Sequence, residues 1–351
     1  MEYDALDRDA RIKLSIGTKK GGNADGLFAF PRGLVFDHHR GLLLVIDTHN
    51  HRVQVFSCDD EDGSFVSKFG EEGSQPGLFC NPDGLAIDHD HDRILIVDSA
   101  NNRVQSWSLS EQSFLSCIGH RGPGDLEFDN PRGIAIDKHH RRIVIVDAFN
   151  SRLVFLSSID LSFLFSVGKH GNQAGQFYRP TGVAIDDDRH RIIVTDTGNH
   201  RVQVLSLIDG SFLFEFGSKG REPNQFEHPN QVCIDNQGRI IVADSGAYCM
   251  QAFTHEGHHI SSFDCEPEEA LSVAFDEHRG LIAFSATHQV HVIGANQWLA
   301  DTFTWHIDRH RYAPSSMKQA VLTMTMIRSL VDDSALSMIP NELLFEIFSF
   351  L

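Results

Sequence analysis

From residue 11 to residue 294 the apolar positions fall in short runs of four to seven residues, β-branched or aromatic and bounded by Gly, Asp, Asn or Pro. Runs of that length and composition predict β-strands. They also repeat in register. "PRGLVFD" (31–37), "PDGLAID" (82–88), "PRGIAID" (131–137), "PTGVAID" (180–186) and "PNQVCID" (229–235) each open a unit, and their prolines are 51, 49, 49 and 49 residues apart. A second run follows ("LLLVID", "ILIVDS", "IVIVDA", "IIVTDT", "IIVADS"), and a third begins near "RVQ". The fourth closes the unit as "SFVSKFG", "SFLSCIG", "SFLFSVG" or "SFLFEFG". Four short antiparallel strands per unit of about 50 residues predict propeller blades.

A sixth unit is degraded to three strands, "LSVAFD" (271–276), "GLIAFS" (280–285) and "HQVHVIG" (288–294). Its missing outer strand is predicted at the other end of the chain, where "RIKLSIG" (11–17) fits the fourth-strand pattern with no blade before it. That pairing closes the ring and hides an open edge. The competing candidate is Trp298–Phe303. The predicted fold is therefore all-β, a six-bladed propeller over 11–305 followed by a short α-helical tail over 312–351.

In the first four units an aspartate and an arginine bracket the turn between the second and third runs: Asp47 and Arg52, Asp98 and Arg103, Asp147 and Arg152, Asp196 and Arg201. A planar guanidinium matches a carboxylate, so the repeated pair predicts a structural clamp, not a ligand contact. In unit five Cys249 stands where the arginine belongs, which predicts a looser turn around Asp244. In unit six Phe284 and Gln289 are expected to replace both members.

These units resemble the NHL-repeat family, whose N-H-L-like turn appears as "NHR" at 50–52 and 199–201. The resemblance spans roughly 11–294, and the double-glycine and Trp-Asp signatures of kelch and WD40 repeats are absent. It implies a non-enzymatic recognition module. NHL proteins similar to this chain include ubiquitin-ligase components of the tripartite-motif and malin type, and RNA binders. The chain has no RING cysteines or B-box, hence no ligase chemistry of its own.

In the tail, "APSSMKQAVLTMTMIRSLVDD" (313–333) has the spacing of an amphipathic helix. "LSMIPNELLFEIFSFL" (336–351) restarts a helix at Pro340 and resembles the opening of an F-box. Pro340, Leu343, Leu344, Ile347, Phe348 and Leu351 are the candidates for docking a Skp1-type adaptor. Through it the propeller would present substrates for ubiquitination.

Charge changes the picture by its placement. The net charge of −18 argues against wholesale nucleic-acid binding, DNA included. Most of the acidic excess falls in the hairpins between the first and second and between the third and fourth runs, the face called bottom, while the top-face loops balance basic against acidic residues. Candidate top-face binding residues are Arg32, His49, Asp83, Arg132, Phe149, Lys169, Arg179, Thr181, Arg221 and Asn230. The expected ligand is a protein or peptide, with RNA as the alternative. A metal-dependent hydrolase or lyase in the channel, as in lactonase-type propellers, is the further alternative.

No cofactor or metal is expected. "DHDHD" (88–92) suggests ligation, but the histidine-bearing hairpins belong to different blades and are expected not to converge. Six scattered cysteines without C-x-x-C, and no signal-peptide pattern or membrane-length apolar run, predict a reduced, cytoplasmic protein that does not span a membrane.

Overall fold

Each β-branched run pairs with the run after it, because the polar turn between them folds neighbouring strands back antiparallel. A computed structural model describes residues 12–58 and 63–299. Within them lie six four-stranded antiparallel sheets. Blade one runs outward through Pro31–Asp37, Leu42–Asp47, Arg52–Ser57 and Phe65–Phe69. Blades two to five repeat that order from Pro82–Asp88, Pro131–Asp137, Val183–Asp186 and Pro229–Ile234. The innermost strands neighbour one another around the ring, and that of blade six, Ser272–Asp276, touches those of blades five and one.

Blade six takes its outer strand from the start of the chain. Ile12–Gly17 pairs antiparallel with Gln289–Gly294, with Ser15 opposite His291 and Ile16 opposite Val290. In the competing candidate, Ala295–Leu299 forms a short helix whose buried Trp298 packs on Phe263 at 5.7 Å between ring centroids. The helical tail, with Pro340, Leu343, Leu344, Ile347, Phe348 and Leu351, lies outside the described residues, as does the acidic stretch 59–62. Among the described residues no helix is long and apolar enough to cross a membrane.

The core sits between blades. Leu44, Ile46 and Val53 of blade one pack with Leu85, Ile94 and Trp107 of blade two, and the interdigitation repeats around the ring. A phenylalanine three residues ahead of each P-x-G proline or its equivalent anchors it. Phe28, Phe79, Phe128, Phe177 and Phe226 are fully buried. Each contributes roughly 1.5–3 kcal/mol by leaving water.

The turn aspartates are buried and hydrogen-bonded. Arginine Nε donates to carboxylate Oδ2 in Asp47–Arg52 at 2.9 Å, Asp98–Arg103 at 2.7 Å, Asp147–Arg152 at 2.9 Å and Asp196–Arg201 at 2.8 Å. The other oxygen accepts a backbone N–H from the loop leading into the same blade, at Ala29, Cys80, Asp129 and Tyr178. An asparagine three residues on (Asn50, Asn101, Asn150, Asn199) donates to Oδ2 as well. Each clamp therefore joins turn, loop and strand through one buried carboxylate, an arrangement in which every donor and acceptor counts.

Blades five and six depart from expectation. Asp244 replaces the missing guanidinium with backbone N–H donors from Glu227, His228, Gly246 and Ala247, at 2.8–3.1 Å, so its turn is tied through the main chain. Burial pushes the Cys249 thiol up to about 12, with Asp244 adding to the shift. In blade six the turn is shorter. Phe284 lies within the strand opposite His291, and Ala286 and Gln289 bracket the turn instead.

A second ring of clamps was missed in the sequence. On the bottom face Asp88–Arg93, Asp137–Arg142 and Asp186–Arg191 pair at 2.9, 2.9 and 2.6 Å. The same arginines donate to carbonyls of the following blade, at Ser158, Ile208 and His255. Part of the acidic excess is thus buried and neutralised, a fact that a count of exposed loop charges could not register.

Candidate functional site

The P-x-G motif and its equivalent place a middle residue at or just ahead of each innermost strand, and four of those five residues border one opening. A cavity of about 470 Å³ opens there, lined by Arg32, Arg132, Phe149, Arg179, Thr181 and Asn230. Tyr178, Thr197, His200, His228, Ser245 and Glu269 complete the wall. Six predicted residues thus share one cavity. The remaining four do not line it. Asp83 is buried 3.7 Å from Arg32, His49 packs on Phe30 at 4.6 Å, Lys169 is exposed, and Arg221 is stacked over Tyr248 at 5.9 Å.

The charges here are sorted, not balanced. Asp83 is shared between Arg32 at 3.7 Å and Arg132 at 3.9 Å. Burial pulls Arg132 below its ordinary pKa, with Asp83 acting against the shift. Arginine nevertheless stays charged in proteins. Arg179 lies over the rings of Phe149 at 5.4 Å and Tyr178 at 5.7 Å, which fixes its guanidinium at the rim. Thr181 is committed to the strand by hydrogen bonds to Thr195 and Thr197, at 3.1 and 2.6 Å. Asn230 donates to Ser245 Oγ at 2.9 Å.

Sequence reasoning passed over His200, which it saw only as the middle letter of "NHR". The residue sits in the left-handed region at φ 57°, and its Nδ1 lies 2.7 Å from the Glu227 carbonyl. A carbonyl only accepts, so Nδ1 is the donor, and in the uncharged form of the ring the lone pair is on Nε2. The equivalent His51 shows the opposite use, its Nδ1 accepting the Asn81 N–H at 3.0 Å. The signal was the neighbour in the next loop, a carbonyl in one blade and an amide in the other.

A channel metal of the lactonase kind does not fit this mouth. Asp83 faces two guanidinium groups, and three arginines line the cavity, whereas a hard cation needs several free oxygen ligands.

The bottom mouth corrects another expectation. Histidines of separate blades do converge. Ligating atoms of His38, His39 and His89 lie within 4.8 Å of one another, as do those of His38, Glu277 and His278. The first hairpins of adjacent blades hang at the narrow end of the wedge, close to the axis, so residues of blades six, one and two meet.

Two family profiles match parts of the chain: a 6-bladed beta-propeller family over residues 34–120, and the NHL repeat over 177–205 and 226–253. The protein is a six-bladed β-propeller. It carries NHL repeats. No curated protein sequence matches it. Among solved structures it resembles a gluconolactonase from Xanthomonas campestris, at 15% identity, covering 77% of this chain and 88% of that one, with TM-score 0.59. A putative gluconolactonase aligns at 12% identity over 79% and 93% of the chains, TM-score 0.59. A luciferin-regenerating enzyme aligns at 13% over 80% and 95%, TM-score 0.57.

At such identities the likeness establishes the fold alone. It still overturns the expectation of a non-enzymatic recognition module, because propellers of this shape bear the names of enzymes. The expectation rested on the NHL resemblance and on the lack of a catalytic constellation in the sequence. A propeller assembles a site from residues some 50 positions apart, so that absence excluded nothing.

Proposed function

We propose that this chain is a hydrolase-type propeller whose active site is the top-face cavity and whose substrate is a small ester or lactone bearing an anionic group. The observation that carries the reading is His200, its Nδ1 proton committed to the Glu227 carbonyl, in one cavity with Arg32, Arg132 and Arg179. The enzyme names of the structural neighbours support the same class. Arg32 and Arg179 hold the substrate's anion by charge-assisted hydrogen bonds. His200 Nε2 takes a proton from water, and the resulting hydroxide attacks the acyl carbon. Arg132 stabilises the tetrahedral oxyanion. Collapse breaks the acyl–oxygen bond, and the imidazolium returns its proton to the leaving alkoxide. The products are a carboxylic acid and an alcohol.

The test is hydrolysis of a panel of carboxylated lactones and aryl esters by the full chain, beside His200→Gln and Arg132→Ala. Turnover above buffer that falls at least ~100-fold in His200→Gln is expected. No turnover of any panel member, or turnover indifferent to both changes, overturns the reading.

A further inference from the structure

The bottom mouth holds chemistry that the proposed reaction does not use. His38 and His39 stand in the first hairpin of blade one, His89 in that of blade two, and Glu277 and His278 in that of blade six. The four imidazole rings form one cluster of edge-on and tilted contacts. Centroids lie 4.2 Å apart for His38–His39 and His39–His89, and 4.5 Å apart for His38–His278. In a solvated hairpin such rings are expected to repel one another on protonation and disperse. Here three blades bring them together.

We propose that this cluster is a binding site for one divalent transition-metal ion of the zinc class, held by His38, His39 and His89 and completed by Glu277 or His278. Imidazole-rich donors select zinc, copper or nickel over calcium and magnesium, which require oxygen. The present spacing, up to 4.8 Å between ligating atoms, must close to roughly 3.3 Å to suit metal–nitrogen bonds of about 2.0–2.1 Å in a tetrahedron. His39 and His278 are exposed, so rotation of their rings meets little resistance.

A second observation supports ligation. Asp37 Oδ1 is buried without a hydrogen-bond partner, 3.7 Å from His89 Nε2. A small turn of the ring lets Nε2–H donate to that oxygen and leaves Nδ1 to the ion, the carboxylate–histidine–metal relay that orients ligands.

Bound there, the ion joins blades six, one and two. It clips the seam at which the N-terminal strand closes the ring, a role independent of top-face hydrolysis.

The test is calorimetric titration of the chelator-treated full chain with zinc chloride, and with cobalt chloride read by visible absorption. One equivalent of zinc is expected, with the intense visible bands of four-coordinate cobalt and a higher melting temperature in the metal-bound chain. His38→Ala and His89→Ala are expected to lose at least ~100-fold in affinity, and Asp37→Asn, a positioning change, about 10–100-fold. His139→Ala/His140→Ala, a histidine pair on the next hairpin, is expected to bind as the wild type does. Melting of the metal-free variants at the wild-type temperature separates lost ligation from lost folding. No stoichiometric binding, or binding that survives both His38→Ala and His89→Ala, overturns the proposal whether or not the top cavity hydrolyses anything.

Discussion

Gly119 lies against the ring of Phe128, so close that a Cβ on the glycine would sit 2.6 Å from two ring carbons, and its φ of +99° is one that L side chains rarely adopt. The pair recurs as Gly70–Phe79 and Gly217–Phe226, with corresponding approaches of 2.4 and 2.5 Å. It explains why the fourth run of a unit ends in glycine. Gly119→Ala is expected to destabilise by about 1–3 kcal/mol through overpacking, and Phe128→Ala by about 3–5 kcal/mol through the cavity left behind. Combined, the two should cost less than their sum, since the smaller side chain makes room for the methyl. Urea midpoints of the three variants check this; strict additivity would refute the contact.

The turn clamps make a second prediction. Asp98 is fully buried, and Arg103 answers it at 2.7 Å while donating to the carbonyls of Gln75 and Leu78. Arg103→Met strands the carboxylate and should cost about 3–5 kcal/mol. Asp98→Asn/Arg103→Met removes both charges and should recover part of that loss. Thermal melts of the pair decide; equal loss in both would mean the charge is not what matters.

Asp83 is expected to set the anion affinity of the top cavity. It neutralises part of the charge of Arg32 and Arg132, 3.7 and 3.9 Å away. Asp83→Asn frees both guanidinium groups and is expected to tighten binding of a monocarboxylate probe several-fold at low salt, with the gain shrinking as salt rises. Calorimetry at two ionic strengths reads it. Unchanged or weaker binding would show that the aspartate positions the arginines and does not compete for them.

Acid sensitivity follows from His259. Burial beside Phe253, with ring centroids 5.6 Å apart, lowers its pKa below the ordinary 6.5. Between the folded and unfolded values the unfolded chain binds more protons, so stability rises with pH there. The contribution is present above pH 6.5 and is lost as pH falls through the folded value. One proton bounds the slope at about 1.4 kcal/mol per pH unit. His259→Gln should flatten melting temperature against pH between about 5 and 7; an unaltered curve would assign the acid sensitivity elsewhere.

What the sequence made legible was whatever repeats. Prolines near 49-residue spacing and the bracketed turns set out the blades, and the orphan run at 11–17 found its partner because only one blade lacked a strand. Shortened turns were harder. Counting four intervening residues, as in the other blades, puts Phe284 at a turn position, whereas blade six has two. The top cavity was half legible. Arg32 and Arg132 stand at a repeat position, whereas Tyr178, His200 and His228 come from loops whose packing no period records. Convergence at the bottom was the reverse case. Each hairpin read alone looked solvated, and only the wedge shape of the blades brings His38, His89 and His278 to one place.

The strand Ile12–Gly17 is made before blade one and used last. Ser15 Oγ bonds His291 Nδ1 across 276 residues of sequence, so during synthesis the ring stays an open arc until blade six has emerged. Until then both ends of the arc present unpaired backbone, the condition in which neighbouring nascent chains can exchange strands. Such long-range pairing also slows the final step relative to the local hairpins. Closure of the ring thus waits on the translation of every blade between its two halves.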